Sequence, residues 1–437
     1  MRTGIAGRFG RLRHLADSDA ALNVYSLFAL ACFANILLTS DYYQGQAYVL
    51  YALIPVGVAG QIIRRRSAPA RSRILLFAGL YLLMILISSL LAGTTDADWV
   101  AVTMRATSPA DVLAGAAIVS MAIISFISIT IDLSLRRERT IEASILTLGS
   151  VVAAAALINA ISFLSTTPIE AVIGGDRLTA AIGMPHYQNS TNISATYAVF
   201  AGAAVGVMAS PGARRAARLV ALALAAILLV AIALTQSRSA ILGLGCGAAA
   251  IAAVSPRSRR LIVAGTVAIG LAAVLLAPEM VDSLIARGLS RRPEVWGHYL
   301  DLAARRPWTG HGGFTAVEVV LANGRTIGQA HNLAISALVR GGIGASLAIL
   351  ALMASSLWWA FRYRRETGNA GPLGAIVTIA AAGMVDYELV ITRPDWYWIT
   401  FWFPIALAAG CEMVCRDRAG TEGGDPSRSR FRGRQPA

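Results

Sequence analysis

Three polar positions in an otherwise apolar sequence carry side chains that could do chemistry. Arg177 stands in Gly-Gly-Asp-Arg-Leu-Thr, ahead of Met184-Pro185-His186-Tyr187-Gln188-Asn189. Arg238 lies in Thr-Gln-Ser-Arg-Ser-Ala, between two apolar runs with almost no loop separating them. His331 opens His-Asn-Leu-Ala-Ile-Ser-Ala-Leu-Val-Arg-Gly-Gly-Ile-Gly. An arginine wedged between two helices at a membrane surface is costly unless paired, which makes it a functional residue by default. Its guanidinium fork suits an anion. Each position also has a bland reading: a salt bridge or snorkelling for Arg238, a helix-capping role for His331, a structural role for Arg177. Singly, none of the three decides the matter.

Composition sets the elements that must position them. The chain has 437 residues, of which 56% are hydrophobic and 14% charged. Soluble domains carry about a quarter charged residues, so a water-soluble globule and a disordered chain are both excluded. An all-α polytopic membrane protein fits. A spanning helix needs about 20 apolar residues, and about twelve runs qualify, near 22–40, 47–63, 74–92, 110–134, 141–164, 192–209, 219–235, 239–254, 261–277, 343–361, 372–391 and 396–415. The run at 239–254 is short and glycine-rich, which suits close packing against neighbours. The first run follows Arg2, Arg8, Arg11 and Arg13 without a convincing cleavage site, and reads as a retained span. Cys32, Cys246, Cys411 and Cys415 sit within or beside apolar runs without metal-ligand spacing, and read as packing residues.

The basic residues orient these spans. The net charge is +14, and all 38 Lys+Arg residues are arginine. In a soluble protein this balance would suggest nucleic acid; in a membrane protein, arginine gathers in cytoplasmic loops. Alternate loops are basic: 64–73, 136–139, 214–218, 257–260 and 362–365, together with both ends of the chain. The self-consistent arrangement has about twelve spans with both termini cytoplasmic. It gives a single transmembrane domain over 1–415 and a disordered cytoplasmic tail over 416–437, rich in Arg, Gly, Ser and Pro. One long periplasmic loop, about 278–342, then joins helices 9 and 10. That loop carries Arg287, Arg291, Arg292, Arg305 and Arg306 on the side where arginine is disfavoured, which points to an anionic ligand at the outer face. His298 and His311 share the loop, and Asp386 and Glu388 lie near the outer end of the eleventh span, where they could pair with an arginine. Gly341 and Gly342 offer a break in 331–361, with a short helix before it and the span starting near Ile343. This keeps Arg340 out of the bilayer core.

Taken in order and on one side, these motifs resemble the O-antigen ligase and O-antigen polymerase superfamily. The resemblance covers about 165–345. It rests on Arg177 ahead of Pro185 and Asn189, Arg238 in Gln-Ser-Arg-Ser-Ala, and His331-Asn332 followed by the glycine pair. The loop segments Arg291-Arg292-Pro-Glu-Val-Trp296 and Pro307-Trp-Thr-Gly310-His-Gly312-Gly look like that family's outer loop. One feature departs from the pattern: eight residues separate His331-Asn332 from Gly341, and Arg340 stands where the family often has an acidic residue.

The resemblance implies a metal-independent, inverting glycosyltransferase of the inner membrane, working at the periplasmic face without a cofactor. Its donor would be a glycan on undecaprenyl pyrophosphate and its acceptor a sugar hydroxyl. Arg177 and Arg238 would bind the pyrophosphate, whose charge grows as the glycosidic bond breaks. His331, of a residue type that titrates near neutrality, would take the proton from the attacking hydroxyl. Asn332, Arg291, Arg292, His186 and Asn189 form a second tier of substrate-binding candidates. A compact chain with one outer loop of moderate length suits an O-antigen ligase, whose acceptor is lipid A-core. A polymerase of O-antigen or exopolysaccharide is the alternative within the family. A polysaccharide transporter or flippase is more distant, because its long loop belongs on the cytoplasmic side between two halves, and no internal repeat is present. A non-catalytic scaffold would leave the outer arginines and His331 unexplained.

Overall fold

The structure, a computed structural model, describes residues 19–38, 42–64, 72–92, 108–136, 139–179, 190–276, 291–315, 317–321, 324, 326–387 and 390–422. In chain order the helices are α1 (Asp19–Leu38), the composite α2 (Tyr42–Tyr48, a π-helical turn Val49–Leu53, then Ile54–Arg64), α3 (Arg73–Ala92), α4 (Pro109–Arg136) and α5 (Thr140–Thr166). The short α6 (Ile169–Ile173) precedes α7 (Ser190–Met208), α8 (Arg215–Thr235), α9 (Arg238–Val254) and α10 (Pro256–Leu276). The segment after α10 contributes α11 (Arg292–Arg305) and a pair of antiparallel strands, β1 (Val319–Val320) with β2 (Thr326–Ile327). Then follow α12 (Leu333–Thr367), α13 (Gly371–Asp386) and α14, a π-helical turn Trp398–Trp402 running into Phe403–Glu422.

Apart from α6 and α11, these helices fall on the twelve expected runs, and the protein is an all-α polytopic membrane protein. Among the described residues, eight helices are long and apolar enough to cross a bilayer, and Asn23–Leu38, α9 and α13 are shorter apolar helices. Their outer faces explain why lipid is needed. Leu76, Leu83, Leu90 and Leu91 on α3, and Leu219, Leu222 and Val230 on α8, are exposed. Apolar surface on this scale is favourable only against an apolar solvent.

The centre of the molecule is α14, 94% buried over its most apolar stretch, with α4 and α12 packed on it. On one flank α13 lies between α7 and α9. Small residues make this possible: a Cβ on Gly374 would strike the carbonyl of Gly202, and one on Gly247 would strike Thr378 Oγ1. The glycine-rich run of α9 is the close-packing surface expected of it. All four cysteines are free thiols, and Cys32, Cys411 and Cys415 are buried.

Two boundaries differ from expectation. The eleventh span ends at Asp386 rather than near 391, and 390–395 is an irregular, buried segment that leads into the helix at 396. Several of its polar groups are matched internally: Thr392 Oγ1 (2.9 Å) and Tyr397 N (2.8 Å) both donate to Asp395 Oδ1. The indoles of Trp398 and Trp402 donate to the carbonyls of Thr392 (2.8 Å) and Val390 (2.7 Å). Non-helical backbone at this depth is tolerated because protein surrounds it. At the other end α14 continues to Glu422, past the expected limit at 415, while residues 423–437 of the expected tail lie outside the described residues.

Candidate active site

The break anticipated at the glycine pair is present. Gly342 has φ 72° and ψ −172°, which divides α12 into a short first arm, Leu333–Arg340, and the long helix beyond it. The reason lies in the loop motif Pro307-Trp-Thr-Gly310-His-Gly312-Gly, which fills the break. Ile343 N donates to Pro307 O (2.8 Å), His311 N to Val339 O (2.8 Å) and Gly312 N to Arg340 O (3.1 Å). A Cβ on Gly342 would meet the Trp308 carbonyl, and one on Gly310 would lie 2.5 Å from Arg340 O. Arg340 closes the contact, donating from Nη1 to Gly313 O (3.0 Å) and Thr315 O (3.2 Å). Arg340 therefore clamps the 307–315 loop onto the kink. His311 is structural as well, with Nε2 2.9 Å from Leu302 O at the end of α11.

The short arm of α12 holds His331 at its start. Asn332 is the N-cap: Oδ1 accepts from Ile335 N (3.0 Å), and Nδ2 donates to Met384 O (2.8 Å) in the last turn of α13. One end of this amide thus caps α12 and the other joins the start of that helix, beside His331, to α13. There the imidazole Nδ1 lies 3.3 Å from Asp386 Oδ1. Arg292 Nη2, at the first position of α11, is 3.3 Å from the same oxygen. Ser239 donates its hydroxyl to Asp386 Oδ2 at 2.6 Å, and Ser237 Oγ is 3.1 Å from Ser239 Oγ. One carboxylate therefore gathers α9, α11, α12 and α13 at a single point. Its side chain is 9% exposed, while that of His331 is 33% exposed, so the imidazole faces an accessible space and the carboxylate stands behind it.

Arg238 begins α9 one residue from Ser239. The turn before it is pinned by Gln236, whose Nε2 donates to Val172 O (2.9 Å) and Asp176 O (3.1 Å). Leu178 N donates to Leu234 O (2.9 Å), and Arg177 Nε donates to Thr235 O (2.8 Å). The Arg177 segment is thereby fixed on the α8–α9 turn that carries Arg238. Gln236 (φ 49°) and His331 (φ 50°) are the non-glycine residues with positive φ among those described. Such backbone persists only where surrounding contacts hold it, and it gathers at functional sites; here it flanks both halves of one cluster.

The residues Arg177, Arg238, His331, Asn332 and Arg292 thus come together at one end of the helices. Arg291 is exposed beside them in the turn before α11, while His298, Arg305 and Arg306 are exposed farther along α11 or just past its end. His186, Asn189, Arg287 and Glu388 lie outside the described residues. Asp386 as the partner of His331 is what the sequence left undecided. Its distance of 55 positions from the histidine hid the pairing, and the only signal was an acidic residue at the outer end of a span.

Chemically, a carboxylate on Nδ1 fixes the orientation of an imidazole and leaves Nε2 to exchange a proton with a bound molecule. Guanidinium groups beside it offer paired donors to phosphate oxygens. Residues 223–350 match the family model for O-antigen ligase. An O-antigen ligase of Pseudomonas aeruginosa is similar, with 30% identity over 151 residues, 35% of this chain and 37% of that protein. The matched segment holds Arg238, Arg292, His331, Asn332 and the kink, whereas Arg177 and Asp386 lie outside it. Sequence motifs, membrane fold and matched segment point the same way: over 223–350 the chain is similar to O-antigen ligases, and it spans little more than a third of that relative's length.

Proposed function

We propose that the protein is a glycosyltransferase of the bacterial inner membrane that moves a glycan from undecaprenyl pyrophosphate to an acceptor hydroxyl at the periplasmic face, in the manner of an O-antigen ligase acting on lipid A-core. The observation that carries the reading is the pairing of His331 with Asp386 beside Arg238, Arg177 and Arg292. The arginines take the pyrophosphate, and their contacts strengthen as negative charge develops on the leaving group. His331 Nε2 accepts the proton of the acceptor hydroxyl, and the oxygen attacks the anomeric carbon on the face opposite the departing phosphate, inverting it. General base catalysis of this kind contributes about 10²–10⁴-fold. Asp386 and Asn332 position the histidine, and Ser239 positions Asp386. The sidedness rests on the arginine bias of the alternate loops.

Purified protein reconstituted with a glycan on undecaprenyl pyrophosphate and with lipid A-core tests the reading directly. Transfer should occur, with the new linkage of opposite anomeric configuration to the donor. Absence of transfer to lipid A-core, with extension of one lipid-linked glycan by another, would replace the ligase reading by the polymerase one and leave the residue roles in place. Transport of lipid-linked glycan without any new glycosidic bond would exclude both.

A further inference from the structure

A cavity of about 200 Å³ opens at the opposite end of the helices, between the start of α5, the α7–α8 turn, the α12–α13 turn and the end of α14. Arg139, Arg214 and Arg418 line it, against one carboxylate, Glu142. Its polar floor is ordered: Ser210 Oγ donates to Gly206 O (2.7 Å) and accepts from Ala370 N (3.0 Å), and Asn369 Oδ1 accepts from Gly371 N (2.9 Å). Arg418 is held at the rim through Glu366 O (3.1 Å). Arg139 and Arg214 occupy the N-cap positions of α5 and α8, and neither side chain makes a capping bond. With α13 starting at Gly371, three helix N-termini and their positive dipole ends surround the same space. Three guanidinium groups from three separate elements, offset by one carboxylate, make a site for a doubly or singly charged oxyanion, since arginine forks match phosphate oxygens.

Depth in the bilayer decides what kind of phosphate. Helix α8 starts at Arg215 beside the cavity and ends at Thr235, which accepts from Arg177. Its 21 residues span about 30 Å, the thickness of the hydrocarbon core. The cavity therefore lies at the membrane surface across from the His331 cluster. Past Arg215, α8 presents Leu219, Val220 and Leu222 to the outside, an apolar wall that descends from the cavity into the bilayer. A soluble anion would have no use for that wall; acyl chains would.

We propose that this cavity binds the phosphate headgroup of an anionic phospholipid of the cytoplasmic leaflet, with its acyl chains along α8. The inference needs α8 to cross the bilayer and does not depend on the glycan-transfer reading. The test uses the full chain in neutral detergent. Lipid retention by native mass spectrometry and thermal unfolding are read with added phosphatidylglycerol, with phosphatidylcholine of the same chains, and with inorganic phosphate. Phosphatidylglycerol should be retained and should raise the melting temperature, and phosphatidylcholine should do neither. The double variant Arg139→Gln/Arg214→Gln should bind phosphatidylglycerol about tenfold more weakly, while Arg260→Gln, a basic residue at the same end outside the cavity, should bind as wild type. Glu142→Gln should bind more tightly, and it reads the proposal even if the double variant fails to fold. Undiminished binding by the double variant together with unchanged binding by Glu142→Gln would overturn the site. Equal stabilisation by inorganic phosphate would overturn the lipid.

Discussion

His331 and Asp386 stand 3.3 Å apart, nitrogen to oxygen, across the junction of two helices that begin and end at the same level of the molecule. The last turn of α13 supplies the carboxylate, and the first residues of the α12 arm supply the imidazole. Neither residue could hold this position alone. The link from Asn332 to Met384 O sets the spacing of the helices, and Ser239 fixes the second carboxylate oxygen.

The proposed base gives the first expectation. His331→Ala should insert and unfold like wild type, because a partly exposed histidine costs little when truncated, yet glycan transfer should fall by about 10²-fold or more. Transfer at wild-type rate in reconstituted membranes would remove His331 from the mechanism.

Asp386→Asn keeps the shape but removes the charge that orients the imidazole and meets Arg292. A drop in kcat of about 10²-fold or more is expected, with substrate affinity changed less. Ser239→Ala, which removes one of the bonds to Asp386, should lower kcat by a smaller factor, about tenfold. A change confined to melting temperature would reduce Asp386 to a structural ion pair.

Arg238→Lys separates charge from geometry. Lysine keeps the positive charge and loses the paired donors, so donor KM should rise markedly if pyrophosphate is gripped by a fork. Unaltered kinetics would assign Arg238 a charge-only or structural role.

The kink offers a stability test. Gly342→Ala places a Cβ at φ 72° against the backbone of Trp308. The positive φ alone costs about 1 kcal/mol or more, and the clash with a carbonyl adds to it. The variant should melt lower and lose transfer as the outer loop shifts. Gly344→Ala is the control, because its Cβ meets only the flexible Met84 side chain, at 3.1 Å. Equal melting temperatures for the two variants would show that the loop does not depend on the kink.

A buried carboxylate far from the site gives the fifth. Glu412, fully buried, accepts from Ser72 Oγ (2.7 Å), Arg73 N (2.9 Å) and Ile74 N (3.2 Å), capping α3, and pairs with Arg416 (2.6 Å). Glu412→Ala should destabilise the fold by about 1–3 kcal/mol in thermal or denaturant unfolding, with kcat of the surviving folded fraction unchanged.

The sequence by itself determined the class of fold and singled out most of the residues that the structure gathers in the candidate site. Apolar runs of bilayer length report helices directly, because a spanning backbone must satisfy its own hydrogen bonds and has few other ways to do so. The break at Gly341-Gly342 was legible for a similar reason: 331–361 exceeds one upright span, and glycine is where a chain can turn. Arg177, Arg238 and His331 stood out because polar groups in an apolar chain are expensive and hence few. What only the tertiary structure decided was their partners. Asp386 meets His331 where α13 packs against α12, and no local pattern encodes an approach between residues so far apart in the chain. The eleventh span stops at Asp386, and 390–395, held by bonds such as those from Trp398 and Trp402 to its carbonyls, folds as a buried loop where an apolar run reads as helix. Arg340 shows the same limit: its position before the glycines left its role open, and the docked loop turned its guanidinium onto the carbonyls of Gly313 and Thr315. Periodicity and composition act along the chain, whereas these three outcomes depend on which surfaces meet across it.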